Sequence, residues 1–298
     1  MEFREIKDSC WYFNSAVNIG YVRNGEKGML IDAGLDQSTA KKVLKKLKQE
    51  ELPLTHLFIT HAHADHFGGA AFLQAQNDLY TMAPPLEEAI LRYPVLEPMY
   101  LFQGNEPLPE LRNKFLEGSP IRIDQVIDEG IHTVDGFSFE CLILPGHSAY
   151  QAALLINDVL YAADSYFSTE NLHKHKIPYI TDAKKTIESL ERVKSVSCKG
   201  AVPGHGVYEE NFHETVQANI AYHLHIIESL RKILRTYENG CSQETIVRAL
   251  CREWKVKIPH LSSWALFRTA VTAYVAYLFY AGEADITVHD YTLWVQLK

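Results

Sequence analysis

The chain has 298 residues, of which 47% are hydrophobic and 22% charged, and its formal net charge is -8. These values are ordinary for a globular protein that buries a sizeable core. The negative balance argues against a nucleic-acid partner, because Lys and Arg drive phosphate binding, although a local basic patch is compatible with it. No apolar run reaches the ~20 residues that a membrane-spanning helix needs, and the N-terminal sequence lacks the pattern of a signal peptide.

The number and spacing of the cysteines indicate the redox state of the cellular compartment in which the protein is expected. The cysteines are odd in number, scattered and without any C-x-x-C pair: Cys10, Cys141, Cys198, Cys241 and Cys251. Such a pattern favours reduced, buried thiols over a disulfide framework. We therefore expect a cytoplasmic protein.

The first half of the chain is predicted to alternate short strands with turns. Asn24-Gly25 is a two-residue turn signal and predicts a hairpin. A helix follows, with Ser38 as its expected N-cap, and its lysines are interpreted as a solvated face rather than a nucleic-acid patch. The buried strand THLFIT then leads directly into a cluster of histidines.

Residues 84–126 depart from this alternation of short strands and turns. They are rich in proline, with Tyr93, Met99, Tyr100 and Phe102 in their middle, and predict an irregular helical excursion between strands. Such a segment is expected to form a lid over a site, a contact in a homodimer, or a part of the core. Strands resume after it, with a second hairpin turned at Asn157-Asp158.

From about residue 211 the pattern becomes helical. Val216, Ile220 and Ile227 mark one apolar face of a long helix, and Ser242 begins a second helix with a capping pattern. The apolar stretch at 269–282 predicts a buried helix, followed by a short hairpin. We therefore expect one domain over residues 1–210 and a helical, winged-helix-like domain over residues 211–298.

One loop supplies several potential metal ligands within six residues: His61, His63, Asp65 and His66. Neutral imidazole suits zinc and other transition metals, and a carboxylate adds a hard oxygen. Structural zinc usually recruits thiolates, and no cysteine is near. The cluster therefore predicts a catalytic metal site, and it offers enough ligands for a binuclear one.

Further candidates follow apolar runs downstream, so that each stands at the end of a predicted strand. They are His147 in LPGHSA, Asp164 in YAADS and His205 in VPGHGV. A histidine alone is more often a surface or core residue than a ligand. Strand ends can present side chains to a common rim, and together with the loop these residues predict one shared site.

The combination of H-x-H-x-D-H, P-G-H, a strand-ending aspartate and P-G-H-G resembles the metallo-β-lactamase-fold hydrolases, over roughly residues 15–210. This resemblance implies an α/β fold, a four-layer αββα sandwich, with the helical region appended as a winged-helix-like domain. It also implies two divalent metal ions, expected to be zinc, with iron or manganese as alternatives. The implied ligands are His61, His63 and His147 for one ion, Asp65, His66 and His205 for the other, and Asp164 as the bridge.

The resemblance also suggests supporting roles. Asp32, in LIDAG, would support the ligands from behind, because metal-bound histidines need an acceptor for their other N–H. Ala163 stands where many family members have glycine, which predicts a local change in backbone packing. We interpret His173 and His175 as exposed loop residues, with contact to substrate or to another metal ion as the alternative.

Two such metal ions would bridge a water and lower its pKa, so that the resulting hydroxide attacks the substrate. Asp65 would orient the nucleophile or shuttle its proton, and Tyr166 would add a hydrogen bond to substrate, unless it serves only in packing. The continuation DHFGGA is similar to the thioesterase and lactonase branches. We predict hydrolysis of a small thioester, lactone or ester, with a nuclease or phosphodiesterase and an iron-dependent oxidoreductase or dioxygenase as alternatives.

Overall fold

The computed structural model describes residues 1–7 and 9–298. A larger β-sheet comes from the first part of the chain, and its strands follow one another in chain order. They are β1 (Glu2–Lys7), β2 (Cys10–Asn14), β3 (Ile19–Asn24), β4 (Lys27–Ile31), β5 (His56–Phe58), β6 (Tyr80–Ala83) and β7 (Gln125–Val126). Pairing is antiparallel from β1 to β4 and parallel from β4 to β7. The parallel strands end at one edge, where the loops of a site can meet.

The hairpin predicted at Asn24-Gly25 forms between β3 and β4, with its turn one residue later. Asn24 pairs with Lys27 at the end of the ladder, so Gly25 and Glu26 make the turn. Gly25 has a φ of +59°, which glycine adopts without the steric cost of a Cβ.

A smaller sheet has the strand order β12-β11-β10-β9-β8. Its strands are β8 (Gly130–Val134), β9 (Phe137–Ile143), β10 (Ala152–Ile156), β11 (Val159–Ala163) and β12 (Gly200–Pro203). The predicted Asn157-Asp158 turn joins β10 to β11, and both residues have positive φ, +50° and +67°, as a type I′ turn requires. Unlike the other pairs of this sheet, β11 and β12 run parallel.

Helices cover the outer faces of both sheets, so the fold is the four-layer αββα sandwich that the resemblance implied. Side chains of the two sheets meet in a shared core that includes Phe58, Met82 and Phe139. The outer layers contain, on one side, α1 (Gln37–Gln49), α2 (Ala64–Phe67) and α3 (Ala70–Gln76), and on the other side α7 (Ala183–Ser195) and α8 (Phe212–Arg235).

Helix α1 begins after Asp36, so the prediction of Ser38 as its N-cap is wrong by two residues. The Asp36 carboxylate accepts a hydrogen bond of 3.1 Å from the backbone N–H of Thr39, and its own backbone is extended. Ser38 lies in the first helical turn. Aspartate and serine are comparable N-caps, so the local sequence offered two equivalent starts.

The 84–126 segment is helical and irregular, as predicted. It contains α4 (Glu87–Arg92), α5 (Leu96–Leu101) and a 3-10 turn at Pro109–Leu111. We call residues 84–126 the excursion. Its residues Leu101, Leu111 and Leu116 pack against Ala265 in the C-terminal part of the chain, so core packing is one of its roles.

The C-terminal region combines helices with a small sheet in a winged-helix-like arrangement. Its helices α9 (Gln243–Glu253) and α10 (Leu261–Tyr280) pack with α8, and Ser242 is the N-cap of α9, as predicted. The small sheet joins β13 (Cys241–Ser242), β14 (Ala284–His289) and β15 (Thr292–Leu297) in the order β13-β15-β14. Within the described residues, no helix is long and apolar enough to cross a bilayer.

Candidate metal centre

The histidine loop follows β5 at the carboxyl end of the parallel strands. His61 and His63 lie in the loop, and Asp65 and His66 lie in the short helix α2 that begins after His63. The neighbouring parallel strand β4 ends one residue before Asp32. Adjacent parallel strands therefore bring the Asp32 carboxylate beside the histidine cluster.

The downstream candidates come from the smaller sheet. Asp164 follows β11 and His205 follows β12, and these two strands are parallel, so both residues leave the same edge. His147 lies in the loop between β9 and β10. Asn18 holds the His205 loop in place, because its side-chain amide donates to the carbonyls of Pro203 and Gly206 at 2.8 and 2.9 Å.

The structure brings all the predicted ligands together. Potential ligand atoms lie within 4.8 Å of one another in three overlapping groups: His61, His63 and His147; His61, His66 and Asp164; and Asp65, His66 and His205. The first and third groups are the two sets that the resemblance implied. Asp164 lies between them, with Oδ2 at 3.4 Å from His147 Nε2 and 3.3 Å from His205 Nε2.

Acceptors behind the histidines fix their orientation. His66 Nδ1 lies 2.7 Å from Asp32 Oδ2, and His61 Nδ1 lies 3.0 Å from Thr60 Oγ1. His147 Nδ1 donates to the carbonyl of Tyr179 at 3.0 Å, and His205 Nδ1 donates to the carbonyl of Ala16 at 2.7 Å. Each of these rings therefore directs Nε2 at the shared centre, as metal-binding histidines do.

Two residues of the site have left-handed backbone conformations. Asp32 has a φ of +68° and Ala163 a φ of +49°. Such a φ is costly for a residue with a Cβ, which gives a physical reason for glycine at the position before Asp164. In this chain Ala163 adopts the left-handed conformation itself and carries the steric cost of its methyl group.

Burial and proximity shift the pKa values of the cluster in two directions. Burial, assisted by the neighbouring His147, lowers the pKa of His63 to about 3. Burial acts the same way on His205, but the Asp164 carboxylate outweighs it and raises the pKa of His205 to about 10. Burial opposes the ionised form of Asp65, yet His66 lowers its pKa to about 2. At neutral pH His63 is therefore neutral and Asp65 ionised, the protonation states that bind metal ions, whereas His205 holds a proton that metal binding would displace.

Several buried polar atoms have no hydrogen-bond partner among the described residues: His61 Nε2, His66 Nε2 and Asp164 Oδ1. Buried polar atoms in folded proteins are nearly always satisfied. Divalent ions held by nitrogen and carboxylate oxygen would satisfy all three atoms at once. The residues present therefore fit a pair of divalent metal ions.

A cavity of about 370 Å³ opens onto the cluster, with His63, Asp65, His147, Asp164 and His205 in its wall. The rest of the wall is largely apolar and comes from three parts of the chain. Phe115 and Leu116 belong to the excursion, Phe167 precedes α6 (Thr169–His175), and Leu266 lies on α10. The excursion and the C-terminal helices thus shape the space beside the cluster.

His175 also lines this cavity. Its side chain is exposed to solvent, as expected, and so is that of His173. Both residues, however, lie in the helix α6 rather than in a loop, and His175 is its last residue. The His175 ring lies 6.0 Å from that of Phe167, and partial burial against the cavity wall lowers its pKa below the ordinary value for histidine. This position beside the cluster agrees with the less favoured alternative for His175, contact with substrate, rather than with an exposed loop.

Tyr166 requires a correction. Its side chain is 1% exposed and packs among Leu160, Leu190 and Phe212 in the core beneath the smaller sheet. Burial raises the pKa of its hydroxyl well above the ordinary value. The prediction that Tyr166 contacts substrate does not fit this placement, and the alternative of ordinary packing does.

Two buried glutamates of the excursion were missed by the sequence analysis. Glu87 accepts hydrogen bonds from the backbone N–H of Ala62 and Tyr150, both at 2.9 Å, and from Ser148 Oγ at 2.7 Å. It therefore ties the loop of His61 to the loop of His147. Glu97 lines the cavity, and burial raises its pKa well above the ordinary value. Isolated glutamates in short helices carry no motif that would have singled them out.

Comparison with known proteins agrees with this geometry. A family model described as the metallo-beta-lactamase superfamily matches residues 13–205. The chain belongs to this superfamily. The match covers every candidate ligand and all strands of the two sheets except β1 and the first part of β2.

Relatives and solved structures extend the comparison. The chain is 23% identical over 199 residues to the atrochrysone carboxyl ACP thioesterase of Aspergillus fumigatus, a match that covers 66% of this chain and 52% of the relative. It is 23% identical over 247 residues to a lactamase-like protein of Aspergillus niger, covering 82% of this chain and 66% of that protein. The chain thus spans about half to two thirds of the length of these relatives.

Among solved structures, a beta-lactamase domain protein from Burkholderia ambifaria has a TM-score of 0.77 at 16% identity, over 100% of this chain and 95% of that one. A metallo-beta-lactamase family protein from Thermus thermophilus has a TM-score of 0.73 at 17% identity, over 95% of this chain and 94% of that one. At such low identity the likeness concerns the fold, and it includes the C-terminal helical region.

Proposed function

We propose that this chain is a metal-dependent hydrolase of a small carbonyl substrate: a thioester, a lactone or a related ester. The observation that carries the proposal is the meeting of two candidate ligand groups, with Asp164 between them, at the wall of a largely apolar cavity. Membership of the metallo-beta-lactamase superfamily supports it, and so does a relative named as a thioesterase.

In this proposal His61, His63 and His147 hold one divalent ion, and Asp65, His66 and His205 hold the other. Asp164 belongs to both, since its carboxylate lies within 3.4 Å of ring nitrogens from each group. Zinc suits this set of imidazole and carboxylate ligands, with iron or manganese as alternatives. When bound, such ions would lower the pKa of water and polarise a carbonyl oxygen.

The side chains of the cavity would bind and orient the substrate. Phe115, Phe167 and Leu266 surround the apolar part of an acyl group and exclude bulk water from the carbonyl. Asp65 lies at the cavity wall with Oδ2 at 3.4 Å from His205 Nε2. Its free oxygen is placed to orient the attacking water and to take a proton from it.

The charge of the cavity favours a small carbonyl substrate over nucleic acid. Of the lining residues that the structure describes, none is Lys or Arg. A nuclease neutralises several phosphates with such side chains. The described wall therefore lacks the side-chain cations that a phosphodiester chain would need.

The test begins with metal analysis of the purified chain and then compares kcat/KM for acyl thioesters, lactones and bis-nitrophenyl phosphate. We expect carbonyl substrates to be hydrolysed faster than the phosphodiester, and the activity to disappear with a chelator and return with zinc. His173→Ala, an exposed histidine outside the cluster, serves as the matched control and should behave as wild type. Phosphodiester turnover above that of every carbonyl substrate, or hydrolysis that survives complete metal removal, would overturn the proposal.

A further inference from the structure

The ring of His63 differs in orientation from the rings of the other candidate histidine ligands. Its Nδ1, rather than its Nε2, faces the shared centre, at 2.8 Å from His147 Nε2. The opposite nitrogen, Nε2, is buried and has no hydrogen-bond partner among the described residues. An imidazole that binds through Nδ1 must carry its proton on Nε2, so a buried N–H here needs an acceptor.

Glu97 is the polar group placed to supply that acceptor. Its Oε1 lies 4.0 Å from His63 Nε2, and its side chain lines the cavity at the same point. Glu97 is only 3% exposed, and its carboxylate takes part in no ion pair with Lys or Arg in the described part of the chain. A polar carboxyl group buried without a partner is costly, so its presence at this position calls for a specific interaction.

We propose that Glu97 is the positioning residue of His63: its carboxylate accepts the Nε2–H and holds Nδ1 towards the metal-binding centre. The inference rests on the proposed metal-dependent function. The contact between Glu97 and His63 would complete a pattern, because each of the other four histidines has a hydrogen-bond acceptor behind its ring. For His66 that acceptor is the carboxylate of Asp32. Glu97 Oε1 and His63 Nε2 would have to approach each other by about 1 Å to form a hydrogen bond.

The excursion supplies buried carboxyl groups beside the candidate metal centre. Its helix α4 contributes Glu87, which ties the two ligand loops together, and its helix α5 contributes Glu97. Helix α5 and the following residues pack against α10, so the C-terminal helices support the position of this carboxylate. The excursion is therefore a structural part of the metal centre as well as a wall of the cavity.

The experiment compares Glu97→Leu with Glu97→Gln in the full chain. Zinc affinity is measured on metal-free protein by competition with a chromogenic chelator. Leucine removes the acceptor, and we expect the affinity for one of the two ions to fall about 10- to 100-fold. Glutamine keeps an acceptor oxygen and should remain close to wild type. Glu88→Gln, on the neighbouring helix in an ion pair with Arg92, is the matched control and should leave zinc affinity unchanged.

A second measurement separates positioning from packing. Without metal, the Glu97→Leu variant should have a melting temperature equal to or above that of wild type, because the substitution removes a buried carboxyl group that has no partner. Unchanged zinc affinity in Glu97→Leu, or an equal loss in Glu97→Gln, would overturn the role of Glu97. The proposed function fails separately, if His63→Ala leaves the affinity for both ions intact.

Discussion

His66 Nδ1 lies 2.7 Å from Asp32 Oδ2, and both side chains are buried. The same carboxylate accepts hydrogen bonds from the backbone N–H of Thr60 at 2.8 Å and from Thr60 Oγ1 at 2.9 Å. Asp32 thus joins the end of β4 to the loop after β5 and fixes the tautomer of His66. The left-handed backbone of Asp32 is held in place by these contacts.

Replacing Asp32 by asparagine should weaken metal binding without unfolding the chain. Asparagine tolerates the left-handed conformation and keeps an oxygen for Thr60, but it removes the charge that supports His66. We expect zinc affinity to fall about 10- to 100-fold, as for other partners of metal-binding histidines. Chelator competition measures the change, and Asp78→Asn, at an exposed carboxylate, is the control. Wild-type affinity in Asp32→Asn would contradict the supporting role.

His63→Ala and Asp164→Ala should each abolish hydrolysis while leaving the fold largely intact. His63 belongs to one candidate ligand group, so its variant should lose affinity for one ion. Asp164 contacts both groups, so its variant should weaken both. Metal content, turnover and circular dichroism of the same preparations test this difference. Retained activity with an unchanged metal count in either variant would disprove the assignment.

Much of the fold and of the candidate site could be predicted because the relevant signals are local. The ligand motifs stand directly after apolar strands, and the turns at Gly25 and Asn157 are encoded by two residues each. We could predict that His147, Asp164 and His205 lie near the histidine loop, because each follows a strand and strand ends meet at one edge of a sheet. The N-cap of α1 was misplaced because Asp36 and Ser38 are comparable signals.

The parts that sequence analysis missed depend on packing between distant segments. Tyr166 is close to Asp164 in sequence, but its ring turns into the core to meet Phe212 of α8. Contact of His175 with substrate was only the less favoured alternative, because its approach to the cavity depends on where α6 ends. Glu97 is one acidic residue among many in the excursion, and its significance comes from its distance to His63.

His175→Ala should alter turnover while leaving the metal content unchanged. His175 lines the cavity but belongs to neither of the two candidate ligand sets, so its neutral imidazole is placed to contact the substrate rather than the ions. We expect kcat/KM to fall about 10-fold or more, as for a group that exchanges hydrogen bonds or protons with substrate. Steady-state kinetics and metal analysis provide the measurement. His173→Ala is the control two residues away, and equal kinetics in the two variants would rule out the contact.

His223 should make the fold sensitive to acid. It lies on α8, is 2% exposed, and its Nδ1 is hydrogen-bonded to the hydroxyl of Tyr274 at 2.8 Å. Burial, assisted by His147, lowers its pKa to about 4, below the value of about 6.5 expected in the unfolded chain. The unfolded state therefore binds the proton first, so the stabilisation is complete above about pH 6.5 and is lost as the pH falls towards 4.

His223→Gln removes this titration while keeping a polar group for Tyr274. The free energy of unfolding of metal-free protein, from urea denaturation, should therefore fall less steeply with acid in the variant than in wild type. Between about pH 7 and pH 4, the free energy of unfolding of wild type should fall by on the order of 3 kcal/mol more than that of the variant. His225→Gln, an exposed position on the same helix, should retain the wild-type slope. Parallel curves for His223→Gln and wild type would show that His223 is not the group that the fold keeps neutral.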